Sequence, residues 1–506
     1  MNKSFIGLDI GTTSVKAVLM DTTGKIMVAA AREYTLETNG NYCEIETELY
    51  WINCVTVIKE LVQNAPIKIT DIDAISFSCQ GETLICIDEN GTPLRKAIVW
   101  LDNRSNAEAK QIWDFFGKEA VNKITGQTEA LPFWTANRIL WLRKNEPSVF
   151  NKVYKYLLVE DYIIYRLTGM FATEQSLNSS TLYFNIYKKE WWQEMLVFLE
   201  ITDKQLPDVY KSGELISTIS KKAANETGLS QNLSVVTGAF DHVAGAIGAG
   251  NIHAGMVSET TGTSMAMVVT LDEVIENISI NLPMQCHAIE GKYLLLPYAQ
   301  TAGMMFRWFR DIFCELEITD AVNNNTDAYD LMTALAEEIA PGSEGLLVLP
   351  HLMGSGSPEF NVNAKAVFAG MQLGMRKGHF TRAIMESIAY MIKRNLETLE
   401  TKGIKVKEIR ASGGGAKSFL WNQIKSDVAN IPIYTLSAQE TASIGAAILA
   451  GVGCNAFESI EDGCKKTVTI KNSFFPIPQN QPNYETAYHR YKLLSDSLES
   501  FWQLFL

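Results

Sequence analysis

One local plan occurs twice in this 506-residue chain, and the interval between the copies governs what it can fold into. Residues 5–21, FIGLDIGTTSVKAVLMD, run from an apolar segment through a glycine and three hydroxyl residues into a second apolar segment. Residues 257–272, VSETTGTSMAMVVTLD, repeat the order: apolar approach, Gly-Thr-Ser, apolar strand, acidic turn. Gly262 follows Gly11 by 251 positions, close to half the chain. That interval predicts two halves built alike, each opening with a strand, a hydroxyl-rich turn and another strand.

Within the first copy, Phe5–Leu8 and Val15–Met20 have the bulk of β-strands, and Gly11 permits a tight reversal. Thr12, Thr13 and Ser14 add hydroxyls and successive backbone N–H groups that can converge on an anion. Asp9 is placed to face a divalent cation and Lys16 a phosphate, although a plain hairpin turn accounts for the local pattern equally well. Two such turns facing each other across a cleft would hold a polyphosphate from both sides.

The length argues for two to four domains, and 47% hydrophobic against 20% charged residues supplies ample buried sheet and helix. A net charge of -13 argues against a nucleic-acid scaffold or an anionic membrane surface, and favours a protein that handles small molecules. The run SIGAAILAGVG (443–453) is too short to span a bilayer, and the N-terminus lacks a signal-peptide apolar region, so the cytoplasm is the expected location. Eight cysteines form no C-x-x-C pair and are expected to be reduced and packed.

Strand-like segments at 74–79, 84–94 (turning at Asn90-Gly91), 234–238, 346–350 and 408–415 alternate with helical spacing at 380–400 and 484–506. Ile384, Ile388 and Met391 share one helical stripe and belong to the core. Strands and helices in both halves imply sheets covered by helices.

Familiar nucleotide motifs fail. GGGAKS (413–418) ends like a P-loop, but Ala416 stands where that motif requires glycine before the lysine. The triple glycine 413–415, between a strand and a helix, would let the backbone approach a ring or phosphate, or simply make a tight turn. In VVTGAFDHVAGAIGAG (235–250), Asp241 sits between a strand end and a slim, glycine-rich helix. It reads as a helix N-cap or as the base that takes a proton during phosphoryl transfer. His242 has no partner at metal-ligand spacing. WLDNR (100–104) and CQGET (79–83) offer an aromatic face and directed polar groups suited to a polyol, or a loop salt bridge and a solvated edge.

Taken together these segments resemble the FGGY family of carbohydrate kinases over nearly the whole chain. The resemblance is carried by SGGGAKSFLWNQIKSDVANIPI (412–433), TANRILWLRKNEP (135–147), AIVWLDNRS (97–105), TAGMMFRWFRD (301–311) and LDIGTTSVKAVL. It implies an α/β fold of two duplicated ribonuclease-H-like, actin-like ATPase domains with a cleft between them. Residues 1–245 would carry the sugar site, the first phosphate loop and the catalytic aspartate, and 246–506 the ATP and adenosine site. By motif, Asp9 resembles the magnesium-associated aspartate, Asp241 the base and a second metal-associated carboxylate. Gly11, Thr12, Thr13, Ser14 and Lys16 resemble the first phosphate loop, and Gly262, Thr263 and Ser264 the second. Gly413, Gly414, Gly415 and Ser418 would abut the adenosine, while Gln80, Glu82, Trp100, Asp102 and Arg104 fall where substrate contacts are expected. ATP and Mg²⁺ are the implied cofactors and a small sugar or polyol the partner, with no nucleic acid or membrane; oligomeric state stays open, a homodimer included.

Departures bear on the substrate. CQGET replaces the G-Q-M-H usual in xylulose kinases; it matches the Q-R-E-T of glycerol kinases except at Gly81. HLMGSGSP (351–358) departs from the common G-E-R-[ST]-P, and Arg138 replaces a usual lysine at what is expected to be an exposed site. A ketose, with D-xylulose leading, is the expected acceptor. A gluconate, glycerol or tetritol kinase, an actin/Hsp70-type ATPase and an inactive sugar sensor are the rivals.

Overall fold

Phe5, Ile6, Leu8 and Ile10 are all fully buried, which marks a strand covered on both faces. In the computed structural model, which describes residues 3–129, 131–275 and 282–505, they form β1 (Ser4–Ile10). β2 (Ser14–Asp21) and β3 (Ile26–Glu33) follow antiparallel. Helix α1 (Glu48–Asn64) leads to β4 (Ile72–Cys79), parallel to β1. Helix α2 (Thr135–Asn145) lies in the long excursion before β5 (Leu215–Thr218) and β6 (Ser234–Val236). β7 (Ala239–Phe240) pairs with the end of β4 and runs directly into α3 (Asp241–Gly248). The sheet order is β5-β6-β4-β1-β2-β3.

The second half repeats the scheme. β8 (Met256–Thr261) and β9 (Met265–Leu271) flank the second hydroxyl turn. β10 (Met284–Cys286), β11 (Tyr293–Leu295) and β12 (Tyr298–Ala299) follow, then α4 (Gly303–Phe313) and α5 (Lys377–Glu400). β13 (Glu408–Ser412), α6 (Phe419–Ala429), β14 (Ile433–Leu436), α7 (Thr441–Gly453), β15 (Ile470–Phe474) and α8 (Gln481–Ser497) complete it. Its sheet runs β10-β11-β9-β8-β13-β14-β15. Strands β3-β2-β1-β4-β6 and β11-β9-β8-β13-β14 therefore correspond one for one, with two antiparallel pairings followed by two parallel ones in each.

Strands form within the expected segments 74–79, 234–238 and 346–350, the one expected over 408–415 ends at Ser412 and gives way to a 3-10 turn at Gly414–Lys417, and Gly91 turns after Asp88 with φ 77°. The stripe of Ile384, Ile388 and Met391 is buried in α5. The helix expected over 484–506 breaks at Leu498, and Leu506 lies outside the described residues. All eight cysteines are free, seven of them buried. Among the described residues no helix is long and apolar enough to cross a membrane.

The halves meet where α3 crosses α7. A Cβ on Gly248 would lie 1.8 Å from the Thr441 carbonyl oxygen, and one on Gly445 would lie 1.9 Å from that of Ala244. Gly7 of β1 meets α7 as closely, its Cβ falling 1.8 Å from the Ser443 oxygen. Gly248→Ala and Gly445→Ala should each destabilise the protein by about 1–3 kcal/mol through overpacking. Gly245→Ala, whose Cβ would find only the Thr441 hydroxyl at 3.8 Å, should be neutral or gain up to about 1 kcal/mol of helix propensity. Equilibrium denaturation compares them; equal midpoints in all three variants would refute backbone contact between the helices.

Candidate active site

The first turn is held from behind. Gly11 N–H donates to the Ser14 carbonyl at 2.9 Å, and the Gly11 carbonyl accepts from the Tyr34 hydroxyl and from Gln80 Nε2, the latter at 3.2 Å. Tyr34 N–H donates to the Thr13 carbonyl at 2.9 Å, and Trp100 Nε1 donates to Thr12 Oγ1 at 2.8 Å. Because a trans peptide points its C=O and N–H in opposite directions, a pinned Gly11 carbonyl turns the Thr12 N–H away from Tyr34 and Gln80.

The second turn solves the same problem with backbone. Gly262 N–H donates to the Ser264 carbonyl at 2.9 Å, and Gly303 N–H holds the Gly262 carbonyl at 3.0 Å. The Thr263 carbonyl accepts from Ala302 N–H at 3.1 Å and Met304 N–H at 3.0 Å, so the start of α4 braces the loop. Among the described residues, the N–H groups of Thr12, Thr13, Thr263 and Ser264 donate to no protein acceptor. Free, successive N–H groups of this kind form an anion-binding concavity.

The triple glycine lies against the same foundation. A Cβ on Gly413 (φ 76°) would come within 2.8 Å of the Thr261 carbonyl oxygen, and one on Gly415 within 2.8 Å of Thr261 Cβ. Beneath, Lys425 Nζ bonds Glu259 at 2.8 Å and Thr261 Oγ1 at 3.0 Å, with both charged side chains 0% exposed. Ser418 caps α6, its hydroxyl accepting Trp421 N–H at 3.2 Å. Lys16 pairs with Glu440, just before α7, at 2.8 Å.

Three carboxyl groups collect near the first turn. Asp9 ends β1 in register with Ser78, whose hydroxyl donates to its Oδ1 at 2.6 Å. Burial pushes the Asp9 carboxyl up to about 6; the Ser78 bond opposes this and the charge of Asp241 adds to it. Glu82, buried with φ 56°, is pushed up to about 8 by burial, again with a contribution from Asp241, so it keeps its proton at neutral pH. Asp241 is the first residue of α3 and 35% exposed. Phe240 occupies the cap position, and one Asp241 oxygen accepts the adjacent His242 N–H at 2.6 Å. His242 Nε2 stands 3.8 Å from Asp241 Oδ1.

On the proposed acceptor side, Gln80 also donates to the Tyr50 hydroxyl at 3.0 Å, while its Oε1 is buried without a partner. Trp100 stacks edge-on to Phe133. Asp102 and Arg104 are bound to each other by two bonds of 2.7 and 2.8 Å. Arg104, its side chain 2% exposed, also bonds Glu44 at 2.6 Å and lies over the rings of Tyr42 and Trp141. Arg138 requires a correction: it is fully buried, not exposed. Its guanidinium donates to the carbonyls of Glu82, Ile98, Trp100 and Asp102, joining the 80–83 and 100–104 segments. Burial pulls it down to about 10. The spacing that puts Trp134, Arg138 and Leu142 on one helical face was the legible signal. Tyr34, Ser78 and the Lys425–Glu259 pair carried none.

Two sheets of matching strand order, with glycine-threonine turns at corresponding positions, define an actin-like two-domain phosphotransferase scaffold. The chain belongs to the FGGY family of carbohydrate kinases: residues 4–248 match its N-terminal domain and 257–454 its C-terminal domain. It is thus an ATP-dependent kinase of a sugar or polyol. It is 31% identical to a xylulose kinase of Staphylococcus epidermidis over 97% of this chain and 96% of that protein. Ligand-bound xylulose kinase from Lactobacillus acidophilus superposes with a TM-score of 0.90 at 26% identity, covering 100% of both chains. Gluconate kinase from the same organism does so at 0.90 and 25%, again covering 100% of both chains.

The position of Glu82 makes a stability prediction. Its folded-state value of about 8 lies above the ordinary 4.5, so the folded protein retains a proton that the unfolded chain has lost. That contribution is full below pH 4.5 and disappears as pH rises through about 8. Glu82→Gln should flatten the decline of the denaturation midpoint across this window; a variant that declines as steeply as the parent refutes the assignment.

Proposed function

We propose that this kinase transfers the γ-phosphoryl group of ATP to a hydroxyl of a small neutral ketose, D-xylulose, with Asp241 as general base. The observation that carries the reading is the placement of Asp241. Its carboxylate is partly exposed, lies in the electrostatic reach of Asp9 and Glu82, and does not serve as the cap of α3.

In this reading the free N–H groups of Thr12, Thr13, Thr263 and Ser264, within the turns 11–14 and 262–264, bind the phosphates, and Gly413–Gly415 receive the adenosine. Asp241 takes the proton of the acceptor hydroxyl as the new O–P bond forms and ADP departs with the electrons of the broken one. Neutral Glu82 can both donate to and accept from the sugar. The repeated strand order supports two ribonuclease-H-like units.

Asp9 and Asp241 would hold magnesium, which usually takes one or two carboxylates and completes its shell with phosphate and water. The negative charge that Asp241 places near Asp9 fits a cation there, and no three-residue cage is needed or present among the described residues. The ion would neutralise charge developing on the phosphate oxygens.

A sugar acid would need a cation for its carboxylate. Arg104 is committed to Asp102 and Glu44, Arg138 to carbonyls, and Lys16 to Glu440, which favours the neutral ketose over gluconate.

ADP release measured with D-xylulose, gluconate, glycerol and a tetritol tests the acceptor. D-xylulose should give the largest kcat/KM; preference for gluconate would overturn the substrate, and acceptor-independent release would favour an ATPase. Asp241→Asn should reduce sugar-dependent turnover by about 10²- to 10⁴-fold with nucleotide affinity retained. Near-normal turnover in the folded variant would remove Asp241 from the role of base.

A further inference from the structure

The two phosphate turns differ in what restrains them. The second is braced through Gly262 and Thr263 by backbone N–H groups at the start of α4, which are fixed by the helix itself. The first depends on side chains at the Gly11 carbonyl, and one residue, Tyr34, grips it twice: its hydroxyl bonds the Gly11 carbonyl and its N–H bonds the Thr13 carbonyl at 2.9 Å. The peptide between Gly11 and Thr12 follows a residue without a Cβ, so little in the chain itself opposes its rotation.

Tyr34 is well placed for this work. It follows β3, packs edge-on against Tyr50 with ring centroids 5.8 Å apart, and Tyr50 receives the other Gln80 bond at 3.0 Å. Tyr34, Gly11, Gln80 and Tyr50 thus form one closed set of contacts behind the turn. Burial holds the Tyr34 phenol above its ordinary range, so it remains a donor at any working pH.

We propose that Tyr34 is a positioning residue for phosphoryl transfer: by fixing the Gly11 peptide it aims the Thr12 N–H at the nucleotide's phosphates. The inference rests on the assignment of residues 11–14 as a phosphate loop. It assigns Tyr34 no contact with substrate; its action passes through the orientation of one peptide.

Tyr34→Phe retains the ring against Tyr50 and the backbone bond to Thr13 while deleting the bond to Gly11. Binding of Mg·AMP-PNP and of adenosine to the full-length protein is measured alongside kcat and the sugar KM. AMP-PNP affinity and kcat should each fall about 3- to 10-fold, the loss of one hydrogen bond, with adenosine affinity and sugar KM unchanged. A general loss of structure would weaken adenosine and AMP-PNP together, and that result overturns the proposal. So does unchanged AMP-PNP affinity in the variant when the parent binds it normally. A parent protein that binds adenosine but gains nothing from the triphosphate would overturn the phosphate-loop assignment itself, and the inference with it.

Discussion

The crossing of α3 and α7 is the contact on which the cleft depends. At Gly248 and Gly445 the helices touch backbone to backbone, and Gly7 brings the central strand of the first sheet to α7 at the same separation. At these glycines no side chain separates the helices, and the buried side chains around them, Val243 and Ile247 with Ile444 and Ile448, complete a close-packed seam. The elements above inherit its position. α3 starts at Asp241 and α7 is preceded by Glu440, the partner of Lys16, so the seam sets the distance between the acid groups of one half and the loops of the other.

Above the seam, the proposed anion site is built from peptide orientation more than from basic side chains. Each turn has its carbonyls bonded on the far side, which leaves N–H groups unspent. This suits a chain of net charge -13 in which Lys16 and Lys425 are already paired with carboxylates. The buried Lys425–Glu259 pair contributes through Thr261, which touches the triple glycine and precedes the second turn. Removing either charge alone would strand the other in the core, a cost of about 3–5 kcal/mol. One ion pair thereby ties the proposed phosphate and adenosine loops to the same support.

What was legible in the sequence follows the range of the interactions. The hairpin at 5–21, its echo at 257–272, and the strand-to-helix turn at Asp241 are local patterns, and all three form. Arg138 was misplaced because a charged residue on a helix is ordinarily solvated; here four carbonyls from two loops replace the water. Tyr34 and Gly11 meet only after β2 and β3 pair, and Glu259 and Lys425 are 166 residues apart. Such contacts are products of the fold, and no spacing rule announces them. The helix over 484–506 was overextended because its apolar residues keep helical spacing through the break at Leu498.

The departure at Gly81 now has a physical reason. A Cβ there would lie 2.7 Å from Phe240 Cε2 and 3.1 Å from the Ser180 hydroxyl. Phe240 directly precedes Asp241, and its backbone N–H is held by Ser176 Oγ at 3.0 Å. The segment that would contact the acceptor and the strand that carries the proposed base therefore interlock at one point. A methionine or arginine at position 81 would require the Phe240 ring to move. CQGET thus departs from both expected patterns at the one position where Phe240 and Ser180 leave no room for a side chain as they stand.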